Sequence, residues 1–162
     1  MEEIDILQQA IRNPKPGKRV SIVRMQMVKE GSFIYRPREF KNPSDVVDMM
    51  HKYFDASDRE IVGVLSLDGH SRPIAFEIIA VGTVNSCILC PRDIFKHALL
   101  SNAVSLILLH NHPSGVPKES KEDITVTKRI KEVGKLMGIE LLDHIIIGSD
   151  KEFTSLKEQG IV

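Results

Sequence analysis

Apolar positions along the chain recur with two different periods. Three runs of strand length are rich in β-branched and other apolar residues: 61–67, 104–109 and 141–147. Two longer segments, 43–54 and 120–137, place apolar residues three and four positions apart, which is typical of an amphipathic helix. Because strands and helices are interspersed and hairpins occur, the pattern predicts the α/β (α+β) class, with a mixed, mostly antiparallel sheet flanked by helices.

Turn and cap residues place the remaining elements. Asp68 and Gly69 predict the turn of a hairpin whose second strand runs from Pro73 to Val81. Pro91 is predicted to be the first residue of another helix. Weaker patterns predict a short helix over 4–11 and strands over 19–28, 84–90 and 152–156.

Length and composition narrow the class of protein. The chain has 162 residues, of which 42% are apolar and 27% charged, as is typical of a folded globular domain. We expect residues 1–18, which end in a Pro- and Gly-rich break, to form a flexible N-terminal arm and residues 19–162 to form a single domain. The sequence has no apolar run long enough to span a bilayer, and its acidic start does not resemble a secretory signal. We therefore expect a cytoplasmic protein without a membrane partner.

The charge balance bears on possible partners. Lys and Arg total 22, and Asp and Glu total 22, so the formal net charge is zero. Proteins that act mainly on a phosphate backbone are usually strongly basic. The lysines of the predicted helix 120–137 could contact phosphate, but a solvated helix face is the simpler explanation of Lys121, Lys128, Lys131 and Lys135. Nucleic acid is therefore only weakly supported as a partner.

The most informative segment follows the buried strand 104–109. His110 and His112 are two residues apart, so on a strand both side chains lie on the same face. On the helix that follows, Asp123 falls in the middle of the apolar stripe, where an unpaired carboxylate is costly. Two histidines and one aspartate would leave a tetrahedral zinc ion a fourth position for water, as in catalytic zinc sites. We therefore predict one Zn²⁺ per chain on His110, His112 and Asp123.

These residues also have structural explanations. Ser120 and Asp123 form a Ser-x-x-Asp pair that is typical of a helix capping arrangement, and histidines at a strand end can be satisfied by hydrogen bonds alone. Glu77, in the apolar return strand of the hairpin, is either a general base for a metal-bound water or an edge-strand charge that prevents aggregation. Cys87 and Cys90 form a Cys-x-x-Cys pair, but their apolar context favours unreactive core cysteines.

Together, these motifs resemble a known signature. His-x-His, seven residues and Ser-x-x-Asp, with a Glu upstream, are similar to the JAMM signature of the JAB/MPN metallopeptidases. The chain resembles the RadC-like branch of this family more closely, most strongly over 42–162. The matching motifs are Glu77 to Thr83, Pro91-Arg92-Asp93-Ile94-Phe95, His110-Asn111-His112-Pro113-Ser114-Gly115, Ser120 with Asp123, and Asp143-His144-Ile145-Ile146-Ile147-Gly148.

The resemblance implies both a fold and a reaction. The fold would be JAB/MPN metalloprotease-like, with a cytidine deaminase-like architecture. The protein would be a zinc-dependent hydrolase of peptide or isopeptide bonds, with an unidentified peptide or protein as its substrate. Zinc would bind His110, His112 and Asp123, and Glu77 would be the general acid/base. Ser120 would support the tetrahedral intermediate by hydrogen bonding.

Two questions stay open at this point. Asp143 and His144 match the family, and we favour a structural strand-edge role for them over contact with a metal ligand. The alternative to a peptidase is a nucleic-acid-associated protein of DNA repair or mobile elements, or a scaffold whose metal is structural. Longer RadC proteins carry an N-terminal helix-hairpin-helix region, and residues 1–40 lack that pattern, so the resemblance lends little support to DNA binding.

Overall fold

The computed structural model describes most of the chain. The described residues are 20–35, 40–55, 57–82 and 89–162. The predicted arm over 1–18 and the predicted helix over 4–11 lie outside them, as does most of the predicted strand over 84–90. Every helix in the described part of the chain is too short or too polar to cross a lipid bilayer.

Five strands of the described chain form one mixed sheet. They are β1 (Ile61–Leu67), β2 (Pro73–Val81), β3 (Ser105–Asn111), β4 (Glu140–Ile147) and β5 (Phe153–Ser155). Their spatial order is β2-β1-β3-β4-β5. β3 and β4 pair in parallel, whereas the other neighbouring strands pair antiparallel. The predicted α+β class and the mixed, mostly antiparallel sheet are therefore confirmed.

Three α-helices of the described chain cover the two faces of this sheet. They are α1 (Pro43–Met50), α2 (Pro91–Leu100) and α3 (Lys121–Met137). α1 packs on one face, while α2 and α3 pack on the other. α3 lies in the crossover between β3 and β4, because parallel neighbours cannot be joined by a tight turn. The predicted helix over 43–54 ends as an α-helix at Met50 and continues as a short 3₁₀ turn, His51–Tyr53.

The side chains of β3 alternate between two cores. Ile107 and Leu109 pack with the residues of α1. Leu106 and Leu108 pack with α2 and α3 on the other face. Each fully buried leucine stabilises the fold by about 1.5–3 kcal/mol, so this alternation is strongly specified. Since His110 is the next even-numbered residue, its side chain lies on the α2 and α3 side of the sheet.

α3 returns to the sheet through a close contact near its end. A Cβ atom at Gly134 would lie 2.5 Å from the carbonyl oxygen of Ile139, the residue before β4. The helix ends at Gly138, whose φ of 68° lies in the left-handed region that favours glycine. Any larger residue at position 134 would therefore push α3 away from β4.

The predicted strand over 19–28 is wrong for residues 20–28. The structure describes these residues as irregular chain with exposed side chains, and Val20 is 90% exposed. The period-two pattern is present, but no strand of the described sheet pairs with this segment. A strand gains its backbone hydrogen bonds only from such a neighbour, so the pattern alone does not make one.

Candidate metal centre

His110, His112 and Asp123 lie together where β3 ends and α3 begins. His110 is the second-to-last residue of β3. Beyond the strand, the backbone N–H of His112 still donates to the carbonyl oxygen of Ile147 on β4, at 3.3 Å. A hydrogen bond of 2.8 Å from Gly115 N to His112 O then turns the chain toward α3. The extended backbone thus places both imidazoles on one side, as their spacing predicts.

The three side chains converge on one point. Each offers one ligand atom, and these atoms lie within 4.8 Å of one another. The Nε2 atoms of His110 and His112 are 3.0 Å apart. Asp123 Oδ1 is 3.4 Å from His110 Nε2, and Asp123 Oδ2 is 3.7 Å from His112 Nε2. The structure therefore brings together the predicted ligands as a group that could hold a metal ion.

The carboxylate of Asp123 is held by the start of its own helix. The backbone N–H and the hydroxyl of Ser120 both donate to Asp123 Oδ2, at 2.8 and 2.6 Å. In return, Ser120 Oγ accepts from the backbone N–H of Asp123 at 3.0 Å. This is the capping arrangement that the Ser-x-x-Asp pair predicts. It also orients Asp123, because these donors leave Oδ1 facing His110.

His112 is oriented by a backbone carbonyl. Its Nδ1 lies 3.0 Å from the carbonyl oxygen of Val116, which can only accept a hydrogen bond. The Nδ1 atom must therefore carry a proton, and in a neutral imidazole the lone pair is on Nε2, which faces His110 and Asp123. Imidazole nitrogen and carboxylate oxygen are common zinc ligands, so the donor set fits the predicted ion.

Burial and the close approach of the three groups set their charges. Burial lowers the pKa of His110 to about 4, so this imidazole is neutral at pH 7. Burial acts to raise the pKa of Asp123, but the nearby imidazoles of His112 and His110 and the two donors of Ser120 together outweigh it, so the pKa lies below its usual range. The carboxylate of Asp123 raises the pKa of His112. A metal ion would therefore meet an ionised carboxylate and displace any proton from His112.

His144, on β4, contacts the candidate ligand His110 directly. Its side chain is fully buried, and its Nε2 lies 2.8 Å from His110 Nδ1. Its Nδ1 is 2.6 Å from the hydroxyl of Thr127, on the inner face of α3. Burial lowers the pKa of His144 to about 3. The strand-edge role that the sequence favoured for His144 is therefore wrong, because β4 lies inside the sheet and the side chain contacts a candidate ligand.

Asp143 has a structural role instead. Its Oδ1 accepts from the backbone N–H groups of His144 and Lys157, at 2.7 and 3.0 Å. Its Oδ2 accepts from the hydroxyl of Ser155 at 2.6 Å. Burial raises the pKa of Asp143 despite these bonds. The carboxyl group thus ties β4 to β5 and to the chain that follows β5.

Glu77 lies on β2, at one edge of the sheet. Its Cα pairs with that of Val64, whose side chain packs with α2 and α3, so Glu77 faces the same side as the candidate ligands. Its carboxylate is 3.0 Å from Nδ1 of His97, a buried histidine of α2 that the sequence did not single out. Because β1 lies between β2 and β3, the strand of Glu77 is two strand spacings of about 4.8 Å from the strand of His110. Both explanations of Glu77, general base and edge-strand charge, stay predictions.

Two other sequence features can be placed. Cys90 is a free, partly buried thiol directly before α2, and Cys87 lies outside the described residues. On α3, the side chains of Lys121, Lys128 and Lys135 are exposed, as expected for a solvated helix face, whereas that of Lys131 is half-buried.

Comparison with known protein families assigns the chain to one of them. A family model described as the RadC-like JAB domain matches residues 40–161. The chain belongs to this family. The matched range includes all the strands and helices that the structure describes, together with His110, His112 and Asp123. The resemblance noted from the sequence motifs is therefore confirmed.

Curated relatives of the RadC-like JAB chain agree with this assignment. A UPF0758 protein of Methanosarcina mazei is 42% identical over 132 residues, which are 81% of this chain and 57% of the relative. A UPF0758 protein of Desulforamulus reducens is 47% identical over 120 residues, 74% of this chain and 52% of the relative. One of Clostridium perfringens is 44% identical over 124 residues, 76% and 54% of the two chains. The chain spans about half the length of the curated relatives it matches.

Proposed function

We propose that this chain is a zinc-dependent hydrolase of the JAMM type, a metallopeptidase or isopeptidase that uses a zinc-activated water. The observation that carries the proposal is the convergence of two imidazole nitrogens and one buried carboxylate within 4.8 Å of one another. Such a donor set leaves a tetrahedral zinc ion a fourth position for water, which distinguishes catalytic from structural zinc sites. Membership in a JAB family, which includes metalloproteases, supports the same chemistry.

Each residue has a role in this proposal. A zinc ion would lower the pKa of a bound water and polarise the scissile carbonyl group. His110, His112 and Asp123 would hold the ion. The carboxylate of Glu77 would accept a proton from the attacking water and later give it to the leaving amine. Ser120 would donate a hydrogen bond to the tetrahedral intermediate, for which its hydroxyl must turn away from Asp123 Oδ2.

A cavity lies next to His112. Its volume is about 620 Å³, within the range of ligand pockets. Phe54 and Ile147 give it an apolar wall, while Asp150 and Lys151 add charges of both signs. This apolar wall belongs to the core on the α1 side of the sheet, and His112 is the one candidate ligand that lines the cavity.

The test combines zinc content with hydrolysis. Purified wild type should contain close to one zinc ion per chain by mass spectrometry, and His110→Ala and Asp123→Ala should contain none while keeping the wild-type circular dichroism. Hydrolysis is then followed on a proteome-derived peptide library and on isopeptide-linked peptides. Glu77→Gln should keep its zinc and lose about 10²–10⁴-fold in rate, the usual contribution of acid–base catalysis.

The outcomes separate the candidate functions. A zinc-free wild type prepared in zinc-replete medium without chelator would refute the proposal. Full zinc content without hydrolysis of either substrate class would favour the scaffold with a structural metal. A Glu77→Gln variant as active as wild type would remove Glu77 from the mechanism and favour its role as an edge-strand charge.

A further inference from the structure

Two buried polar side chains beside the centre have no role in the proposed reaction. They are His144 on β4 and Thr127 on α3, and both are fully buried. They contact each other through His144 Nδ1 and Thr127 Oγ1, at 2.6 Å. Each also contacts a residue of the candidate ligand set, since His144 Nε2 is 2.8 Å from His110 Nδ1 and Thr127 Oγ1 is 2.6 Å from the carbonyl oxygen of Asp123.

The donor and the acceptor can be deduced for each hydrogen bond in this series of contacts. A carbonyl oxygen only accepts, so the hydroxyl proton of Thr127 points to the carbonyl of Asp123. A hydroxyl has one proton, so Thr127 Oγ1 must accept from the other neighbour, and His144 Nδ1 carries the proton of that bond. His144 is fully buried, and its ring nitrogens contact an imidazole and a hydroxyl, neither of which carries a negative charge, so a charged ring would be costly and the ring is neutral.

The proton position on His144 determines the proton position on the candidate ligand His110. A neutral His144 with its proton on Nδ1 has only a lone pair on Nε2, which must accept from His110 Nδ1. His110 therefore carries its proton on Nδ1, and its lone pair is on Nε2, the atom that faces His112 and Asp123. The opposite tautomer would direct an N–H at the metal position and two lone pairs at each other across 2.8 Å. The Nε2 atoms of His110 and His112 also face each other, at 3.0 Å, and there a metal ion or a second proton on His112 would lie between them.

We propose that His144 and Thr127 are positioning residues of the metal centre, which hold His110 in the tautomer that binds metal through Nε2. The proposal rests on the proposed function in so far as His110 is a ligand. It also couples two parts of the centre, because the same hydrogen-bond chain ends on the backbone of Asp123. His112 needs no such partner, since the carbonyl of Val116 already fixes its tautomer.

The first test reads the tautomer without metal or substrate. In metal-free wild type, a long-range ¹H–¹⁵N spectrum distinguishes protonated from unprotonated ring nitrogens, with His110 assigned from the spectrum of His110→Gln. We expect the His110 proton on Nδ1. In His144→Leu, which removes the acceptor, we expect the proton to shift in part or fully to Nε2. A proton on Nε2 of His110 in wild type would overturn the proposal whether or not any variant folds.

The second test measures zinc affinity against a chromogenic chelator. Loss of such a partner usually weakens metal binding by about 10–100-fold, which we expect for His144→Leu. His144→Gln can place an amide oxygen near the former Nε2 and should recover most of the affinity. Thr127→Val should weaken binding, while the matched control Thr125→Val should not, because Thr125 makes the same bond to a carbonyl four residues earlier on the exposed side of α3.

The results separate this inference from the proposed function. Wild type without zinc affinity would refute the function, and the tautomer of His110 would still be readable. Wild type with zinc affinity that His144→Leu leaves unchanged would refute the positioning role alone. Equal losses in His144→Gln and His144→Leu, or in Thr125→Val and Thr127→Val, would mean that the effect is one of folding and would also overturn it.

Discussion

We predict that the buried histidines of the candidate metal centre make the stability of the metal-free protein depend on pH. An unfolded histidine has its pKa near 6.5, whereas burial lowers the pKa of His110 to about 4. Between these values the unfolded chain binds a proton that the folded chain does not, so the unfolding free energy falls as the pH falls. His144 acts in the same direction, because burial lowers its pKa as well. The loss should therefore occur between about pH 6.5 and pH 4 for His110 and continue to about pH 3 for His144.

The magnitude follows from the pKa of His110. One pKa unit corresponds to about 1.4 kcal/mol, so this residue alone should account for roughly 3 kcal/mol of the loss. That is a large part of the stability of an ordinary domain. His112 opposes the trend, because its raised pKa gives a contribution that is present at low pH and lost as the pH rises. The contribution of Asp123, whose pKa is lowered, is lost only as the pH falls below its ordinary value of 3.8.

The assay is urea unfolding of chelator-treated protein at several pH values. Circular dichroism supplies the signal, since the chain has no tryptophan. His110→Gln should flatten the dependence on pH, while His70→Gln, which removes an exposed histidine from the turn between β1 and β2, should leave it unchanged. An unfolding free energy that stays constant or increases from pH 7 to pH 4 would refute the reasoning, as would a slope that His110→Gln does not alter.

Three further predictions concern the ion, the packing of α3 and the thiols. Zinc at 100 times its dissociation constant should stabilise wild type by about 2.7 kcal/mol in thermal unfolding, and Asp123→Ala should show no such gain. Gly134→Ala should destabilise the fold by about 1–3 kcal/mol in urea, because its Cβ would lie 2.5 Å from a backbone oxygen, whereas Gly69→Ala, with open space around it, should change stability by less than about 0.5 kcal/mol. Replacing both Cys87 and Cys90 with alanine should leave the zinc content per chain unchanged, and a loss of zinc would move the site to the sulfur atoms.

Local patterns were sufficient to predict the candidate ligands. His110 and His112 share a face because strand side chains alternate, and Asp123 faces inward because the apolar stripe of α3 surrounds it. Both rules need only neighbouring residues. The same holds for the cap formed by Ser120, which depends on the backbone N–H groups of Ser120 and Asp123 and on no distant contact.

Contacts between distant elements could not be predicted in the same way. His144 meets His110 only because β4 pairs with β3 in a register that sets His144 opposite Leu108. That register depends on how α3 returns to the sheet, which no local pattern reveals. Thr127 did give a signal, since it follows Asp123 by one helical turn on the inner face. The contact of His97 with Glu77 depends likewise on the packing of α2 against the edge of the sheet.

The candidate ligands all come from one short stretch of chain, from the end of β3 to the first turn of α3. An ion bound there closes only a small loop, and the entropy that a cross-link removes from an unfolded chain grows with the length of the loop it closes. Metal at this position cannot join remote parts of the molecule, unlike the zinc of small domains that are unfolded without it. The five-stranded core should therefore be complete before the ion arrives. Under the proposed function, cells short of zinc would then hold folded, inactive protein that regains activity when the ion returns.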